Sequence, residues 1–498
     1  MSESAYQQLE NRFRRIGLLG EASAILHWDS ATMMPGGGAT ARGEQLAELR
    51  AISHGILTAT ETSDLIGAAE DEDNLNDWQK TNLGLIRRRW IRATAIPEDL
   101  VVAFSRACSE CESRWRQARA DNNFSHVLPF AETVLDLSRQ TGTAQAEKLG
   151  LGLYDTLLDE FDPGQRAASI DIIFDDLSDW LPGFLDNVLS RQETAPEPIW
   201  PAGAFPVETQ KKLGMRFMKD LGFIFDNGRL DISLHPFCGG TPDDVRITTR
   251  YDKSDFTSAM MGVLHETGHA LYEQGLPKDW RHQPVGEALG MSLHESQSLL
   301  IEMQVCRSRQ FLSYAASHMR EAFGGAGAAW TADNLYRINT RVERGLIRVD
   351  ADEVTYPAHI ILRYRLERAL IDGDMALRDL PGEWNNGMRE LLGVTPPTDT
   401  LGCLQDIHWY DGAWGYFPTY TLGAMTAAQI FRAAKSARPE IVDGVRDGDF
   451  APLLTWLREN IHSKGSSLPT QQLLQDITGE PLNANIFKEH LQQRYLGQ

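Results

Sequence analysis

The chain has 498 residues, of which 42% are hydrophobic, enough for a substantial core in one large domain or two to four ordinary ones. Its 48 basic and 69 acidic residues leave a formal net charge of −21, which argues against nucleic acid and anionic membrane surfaces as partners. The five cysteines (Cys108, Cys111, Cys238, Cys306 and Cys403) are odd in number, and the one C-x-x-C, Cys108 with Cys111, has no second pair with which to build a four-thiolate site.

Met1 to Gly17 is polar and carries Glu3, Glu10, Arg12, Arg14 and Arg15. No secretory segment is expected there, and no apolar run is long enough to span a bilayer. The expectation is a cytoplasmic protein with reduced thiols. Amphipathic spacing then predicts helices over Tyr6–Leu26, Arg42–Leu57, Asp77–Ile91, Leu100–Arg119, Leu128–Leu149, Gln165–Arg191 and Val207–Leu221. Gly36-Gly37-Gly38 follows Pro35 with no strand before it, so it reads as a turn rather than a phosphate loop.

The helical pattern breaks after residue 222. Phe223-Ile224-Phe225 and Leu230-Asp231-Ile232 flank Asp226-Asn227-Gly228-Arg229, a strong hairpin signal. Val245 to Tyr251 alternates and is β-branched. A small antiparallel sheet is predicted here, either bracing the next helix or offering an edge to an extended peptide.

That next helix carries Leu264-His265-Glu266-Thr267-Gly268-His269-Ala270-Leu271, an H-E-x-x-H run. Residues at i and i+4 share a helix face, so His265 and His269 can both reach one Zn²⁺, with Glu266 beside them to take a proton from a metal-activated water. Met260, Met261, Val263, Leu264, Ala270 and Leu271 make this helix too apolar for the surface. Two histidines and a glutamate buried there need a partner. Gly275 and Pro277 mark its end. Further helices are predicted over Leu289–Ala322, Leu335–Leu346, Pro357–Ile371, Met425–Ala437, Phe450–His462, Thr470–Thr478 and Asn485–Tyr495.

A third protein ligand is required, and spacing alone leaves Glu287, Glu295 and Glu302 open. His294 is disfavoured beside Glu295, because adjacent helix residues point about 100° apart. Glu302, seven residues after Glu295, shares its face and is a candidate to orient a ligand or a plain solvated charge.

Five blocks resemble the M32 metallocarboxypeptidases, the thermostable carboxypeptidase 1 group: His235-Pro236-Phe237, Asp244-Val245-Arg246-Ile247-Thr248, His265-Glu266-Thr267-Gly268-His269, His294-Glu295-Ser296-Gln297 and Gln405-Asp406-Ile407-His408-Trp409. Trp28-Asp29 with Met34-Pro35, Ile347 to Glu353 and Gly415 to Tyr420 are similar as well. The resemblance implies an almost all-helical fold with a deep groove between two halves, a homodimer, and removal of single residues from peptide C-termini. One catalytic domain over 1–498 is expected, with about 1–205 mostly groove wall or lid and about 206–498 carrying the metal site.

The resemblance also selects Glu295 as third ligand, beside His265 and His269, for one Zn²⁺ per chain, with Co²⁺ or Mn²⁺ as alternatives. Glu266 is then the general base. His408, Tyr416 and Tyr420 are candidates to stabilise the oxyanion, each also readable as core packing. Arg348 is the candidate clamp for the substrate's terminal carboxylate, since a guanidinium can make a planar two-point contact; His235 and Arg246 are weaker candidates for that pocket. The expected activity is a broad-specificity carboxypeptidase with peptides as partners. An endo- or oligopeptidase on the same scaffold, or an inactive peptide-binding protein, are the competing readings; the intact Glu266 speaks against the second. An aminopeptidase is disfavoured because no G-x-M-E-N segment is present.

Overall fold

The computed structural model describes residues 3–497. It is mainly helical, and its one sheet among the described residues has three short strands. The chain forms two compact units. One takes the residues up to Ala93, Pro198–Asn339 and Thr426–Leu482; the other takes Thr94–Glu197, Thr340–Met425 and the segment from Asn483 onward. No helix among the described residues is long and apolar enough to cross a membrane.

In the first unit the H-E-x-x-H run lies on a helix over Phe256–Gly275. Asp255 caps it: one side-chain oxygen accepts from the backbone N–H of Thr257 at 2.8 Å and of Ser258 at 3.4 Å. Most of this helix is buried, as its apolar composition requires. The stretch Leu289–Ala322, expected as one helix, divides into Met291–Leu299, a π-helical turn over Leu300–Cys306, and Arg309–Ala322. Ser308 restarts the chain by accepting from the N–H of Phe311. The Leu335–Leu346 expectation shrinks to Ala332–Asn339, whose terminal carbonyl is taken by Arg307 Nη1 at 3.0 Å.

The sheet corrects the expected antiparallel hairpin. Strands β1 (Gly228–Ile232), β2 (Cys238–Thr241) and β3 (Asp244–Thr249) lie in the order β1-β3-β2. β1 runs parallel to β3, with Gly228 opposite Val245, and only β2 is antiparallel to it. Phe223-Ile224-Phe225 forms no strand. The helix residue Gln274 captures that segment instead, exchanging hydrogen bonds of 3.0 Å with both the N–H and the carbonyl of Ile224 and donating to the carbonyl of Asn227. Gly228 is therefore required for a reason other than a tight turn. A Cβ there would lie 2.3 Å from the carbonyl oxygen of Val245, so glycine permits β1 to approach β3. β3 packs on the Phe256–Gly275 helix, with Val245 and Ile247 fully buried.

Candidate metal centre

The helix Phe256–Gly275 and the helix Met291–Leu299 cross at Gly268. A Cβ at Gly268 would lie 2.4 Å from the carbonyl oxygen of Gln297 and 2.6 Å from Cα of Ser298. Only glycine permits this approach. The approach brings Glu295 beneath the two histidines. Its Oε2 lies 3.2 Å from His269 Nε2 and 3.8 Å from His265 Nε2. One donor atom from each of His265, His269 and Glu295 falls within 4.8 Å of the others. Ser298 Oγ donates to the same Glu295 oxygen at 3.2 Å.

The far side of each imidazole is also held. His265 Nδ1 lies 2.9 Å from Glu302 Oε2, and Arg307 donates to the other oxygen of Glu302 through Nη2 at 2.7 Å. Glu302 thus reaches a histidine from behind rather than facing solvent. Burial acts to raise its carboxyl, but Arg307 and His265 outweigh it and hold the group at about 2. An ionised Glu302 can only accept, so His265 donates from Nδ1 and its Nε2 is the atom that faces Glu295. Burial acts to lower this imidazole, but Glu295, Glu302 and Glu266 outweigh it and raise it to about 10. Two imidazole nitrogens and one carboxylate, convergent and largely buried, form the donor set that a tetrahedral divalent metal with one open position takes once its charge displaces the ring proton. The residues present fit the metal.

Glu266 is buried, 7% exposed, beside this set. Burial is the main influence on its carboxyl and pushes it up to about 7, with His265 opposing and Glu295 adding. Glu287 stands apart from the three donors: its carboxylate is engaged by Arg89, with Nη1 at 3.0 Å from Oε1. His294 contributes no donor to the convergent set; its Nδ1 sits 2.7 Å from His269 Nδ1.

The second unit gathers four of the expected site residues in another cluster. Arg348 is buried, and its Nε and Nη2 both donate to Asp406 Oδ1, at 3.0 and 2.8 Å. Its guanidinium lies over the Tyr420 ring at 4.7 Å. Tyr420 Oη is 3.1 Å from His408 Nε2, and the Tyr416 ring is 5.3 Å from that of Tyr420. Burial, opposed by Asp406, lowers His408 to about 4, so its ring is neutral at pH 7.

The other two expected residues lie in the first unit. Arg246 pairs with Asp244, Nη2 to Oδ2 at 2.6 Å, and sits 4.3 Å from the ring of Trp28. The side chain of His235 is exposed.

Sequence reasoning missed the anchors of the second cluster. Arg363 is fully buried; its Nε donates to Asp406 Oδ2 at 2.7 Å, and its Nη2 to Gln405 Oε1 at 2.8 Å. Gln405 Oε1 also accepts from the backbone N–H of Arg348 at 2.9 Å. Burial works against the Asp406 charge, but the two guanidiniums hold its carboxyl far below the usual range. The signal in the sequence was slight: Arg363 directly follows Ile360-Ile361-Leu362, but Arg365, Glu367 and Arg368 share the helix, so its burial does not stand out.

A mainly helical fold in which two histidines, one turn apart, meet a glutamate from the next helix is that of a helical metallopeptidase. The model of the family described as Carboxypeptidase Taq (M32) metallopeptidase matches residues 8–495. Thermostable carboxypeptidase 1 of Thermus thermophilus is 37% identical over 505 residues, covering 99% of this chain and 98% of that protein. Carboxypeptidase 1 of Bacillus subtilis is 34% identical, covering 97% and 96%. The solved structure of Trypanosoma cruzi metallocarboxypeptidase 1 superposes with a TM-score of 0.96 at 40% identity, covering 99% of both chains. The chain belongs to the M32 metallocarboxypeptidase family, and is a hydrolase that uses a divalent metal.

Proposed function

We propose that this protein is a zinc-dependent carboxypeptidase of broad specificity, with His265, His269 and Glu295 holding the metal and Glu266 as general base. The observation that carries the reading is the convergence of these three donors within 4.8 Å, beside a buried glutamate. When bound, the metal acidifies a water and polarises the scissile carbonyl. Glu266, poised near 7, accepts the proton of the attacking water and returns it to the leaving amine. Its burial strengthens each of these contacts by excluding solvent. Neutral His408 and the Tyr416 and Tyr420 hydroxyls are the proposed donors to the developing oxyanion.

Arg348 is the proposed reader of the substrate's terminal carboxylate. Asp406 occupies the guanidinium edge made by Nε and Nη2, which fixes the plane of the group. The second edge, Nη1 with Nη2, is suited to a two-point contact with a carboxylate. The activity is tested by incubating mixed peptides, as free acids and as C-terminal amides, and following the products by mass spectrometry. Stepwise loss of single C-terminal residues from the acids, with slow turnover of the amides, is expected. Internal cleavage, with acids and amides cut at equal rates, would replace this reading with an endopeptidase.

A further inference from the structure

The two histidines of the metal site are steadied from behind in different ways. His265 leans on a carboxylate directly, through Glu302. His269 leans on a second imidazole: His294 Nδ1 lies 2.7 Å from His269 Nδ1, and His294 Nε2 lies 2.7 Å from Glu273 Oε1. The His269 and His294 rings are tilted by 34°, with centroids 4.6 Å apart. Glu273 is one turn beyond His269 on the same helix, and His294 immediately precedes Glu295. The chain of contacts therefore ties the two helices together on the side opposite the donors.

The direction of the hydrogens follows from the end of the chain. Glu273 is 23% exposed and lines a cavity of about 420 Å³ that Glu21, Gly240, Arg281 and His282 also line. A carboxylate there accepts, so His294 donates from Nε2. With its hydrogen on Nε2, His294 accepts at Nδ1, and His269 donates from Nδ1 across the 2.7 Å contact. That arrangement leaves the His269 Nε2 lone pair turned toward Glu295, 3.2 Å away. Without Glu273, His294 can as readily place its hydrogen on Nδ1, which forces His269 into the tautomer that cannot bind a metal through Nε2.

We infer that His294 and Glu273 form a carboxylate–imidazole–imidazole relay that fixes the tautomer and ring orientation of His269 and so slows loss of the metal. Both are positioning residues: neither offers an atom to the donor set. The inference rests on His269 being a ligand, as proposed above. Groups behind a ligating histidine commonly change metal affinity by about 10–100-fold when removed.

The test uses the full-length, zinc-loaded protein and measures zinc release into excess chelator, alongside thermal melting of the zinc-free protein. His294→Phe, which keeps the ring shape without nitrogens, and Glu273→Leu should each release zinc about 10–100-fold faster. His294→Asn, whose Oδ1 lies near the position of Nδ1, should recover part of the loss. Because the two act in series, Glu273→Leu added to His294→Phe should cause little further acceleration. Zinc-free melting should move far less than release. Wild-type release rates in both single variants, or two effects that multiply in the double variant, would overturn the relay. His269→Ala separates the two layers. If it retains zinc as the wild type does, the ligand assignment fails; if it loses zinc while the relay variants hold theirs, only the relay fails.

Discussion

As the proposed general base, Glu266 faces two demands that conflict in water: to be negative enough to take a proton and near enough to neutral to give it back. Burial resolves the conflict by lifting its carboxyl to about 7. Glu266→Gln keeps the shape and loses the acceptor. Its kcat should fall by about 10²–10⁴ with zinc content unchanged, as judged by steady-state kinetics and elemental analysis. Arg348 makes a second test at this scale. A hydrogen bond to a charged group is worth about 1.5–3 kcal/mol, or roughly 10–150-fold. Arg348→Ala should lose that factor in kcat/KM on a free-acid peptide and much less on its amide. Equal losses on both would make the arginine a structural member of the Asp406 cluster. Which residues gather in the candidate site was partly legible in the sequence. His265, Glu266 and His269 follow from helical spacing, and Glu302 from its seven-residue offset. The choice of Glu295 over Glu287 did not follow from spacing, because what removes Glu287 is a distant ion pair with Arg89. The same holds for Asp406, whose partners Arg348 and Arg363 lie 58 and 43 residues away.

At the scale of the element, the site depends on how closely two helices approach. Gly268 is a sequence neighbour of His269, yet its role is to admit the backbone of Gln297 and Ser298. Gly268→Ala should therefore push the Met291–Leu299 helix away and carry Glu295 with it. Overpacking of this kind costs about 1–3 kcal/mol. The expected outcome is lower zinc affinity by competition titration together with a lower melting temperature. Weakened stability with full affinity would show that the helices separate without moving Glu295. The helix itself was legible in its apolar faces and its glycine-proline exit; its Asp255 cap was not read from the sequence. The π-helical turn at Leu300–Cys306 was not, since its residues read as ordinary helix formers. The Asn-Gly hairpin failed for a physical reason. A local turn preference competes with tertiary partners, and Gln274 satisfies the Ile224 backbone from the helix side.

Each compact unit is assembled from three separate stretches of chain, a grouping that periodicity along the sequence does not reveal. The mainly helical class was legible because a helix repeats every 3.6 residues; the assembly was not, because it is set by contacts far apart in sequence. Stability of the whole molecule should carry the signature of its buried acids, and Glu367 shows it away from the metal centre. Glu367 is fully buried; Tyr154 Oη donates to its Oε1 and Trp409 Nε1 to its Oε2 at 3.0 Å. Burial outweighs these bonds and raises its carboxyl to about 7 from 4.5. Between those values the folded protein holds a proton that the unfolded chain has released, so this group's contribution falls as pH rises through the window, by at most about 1.4 kcal/mol per pH unit. Glu367→Gln should make the fall of unfolding free energy with pH between 4.5 and 7 shallower, leaving the share of Glu266, and an unchanged slope would place the titration elsewhere. The central claim, that His265, His269 and Glu295 hold the metal on which peptide hydrolysis depends, is tested most directly by measuring zinc content and turnover in Glu295→Ala beside Glu287→Ala. Glu295→Ala should lose both, while Glu287→Ala keeps both. Full zinc and full turnover in Glu295→Ala would contradict the claim.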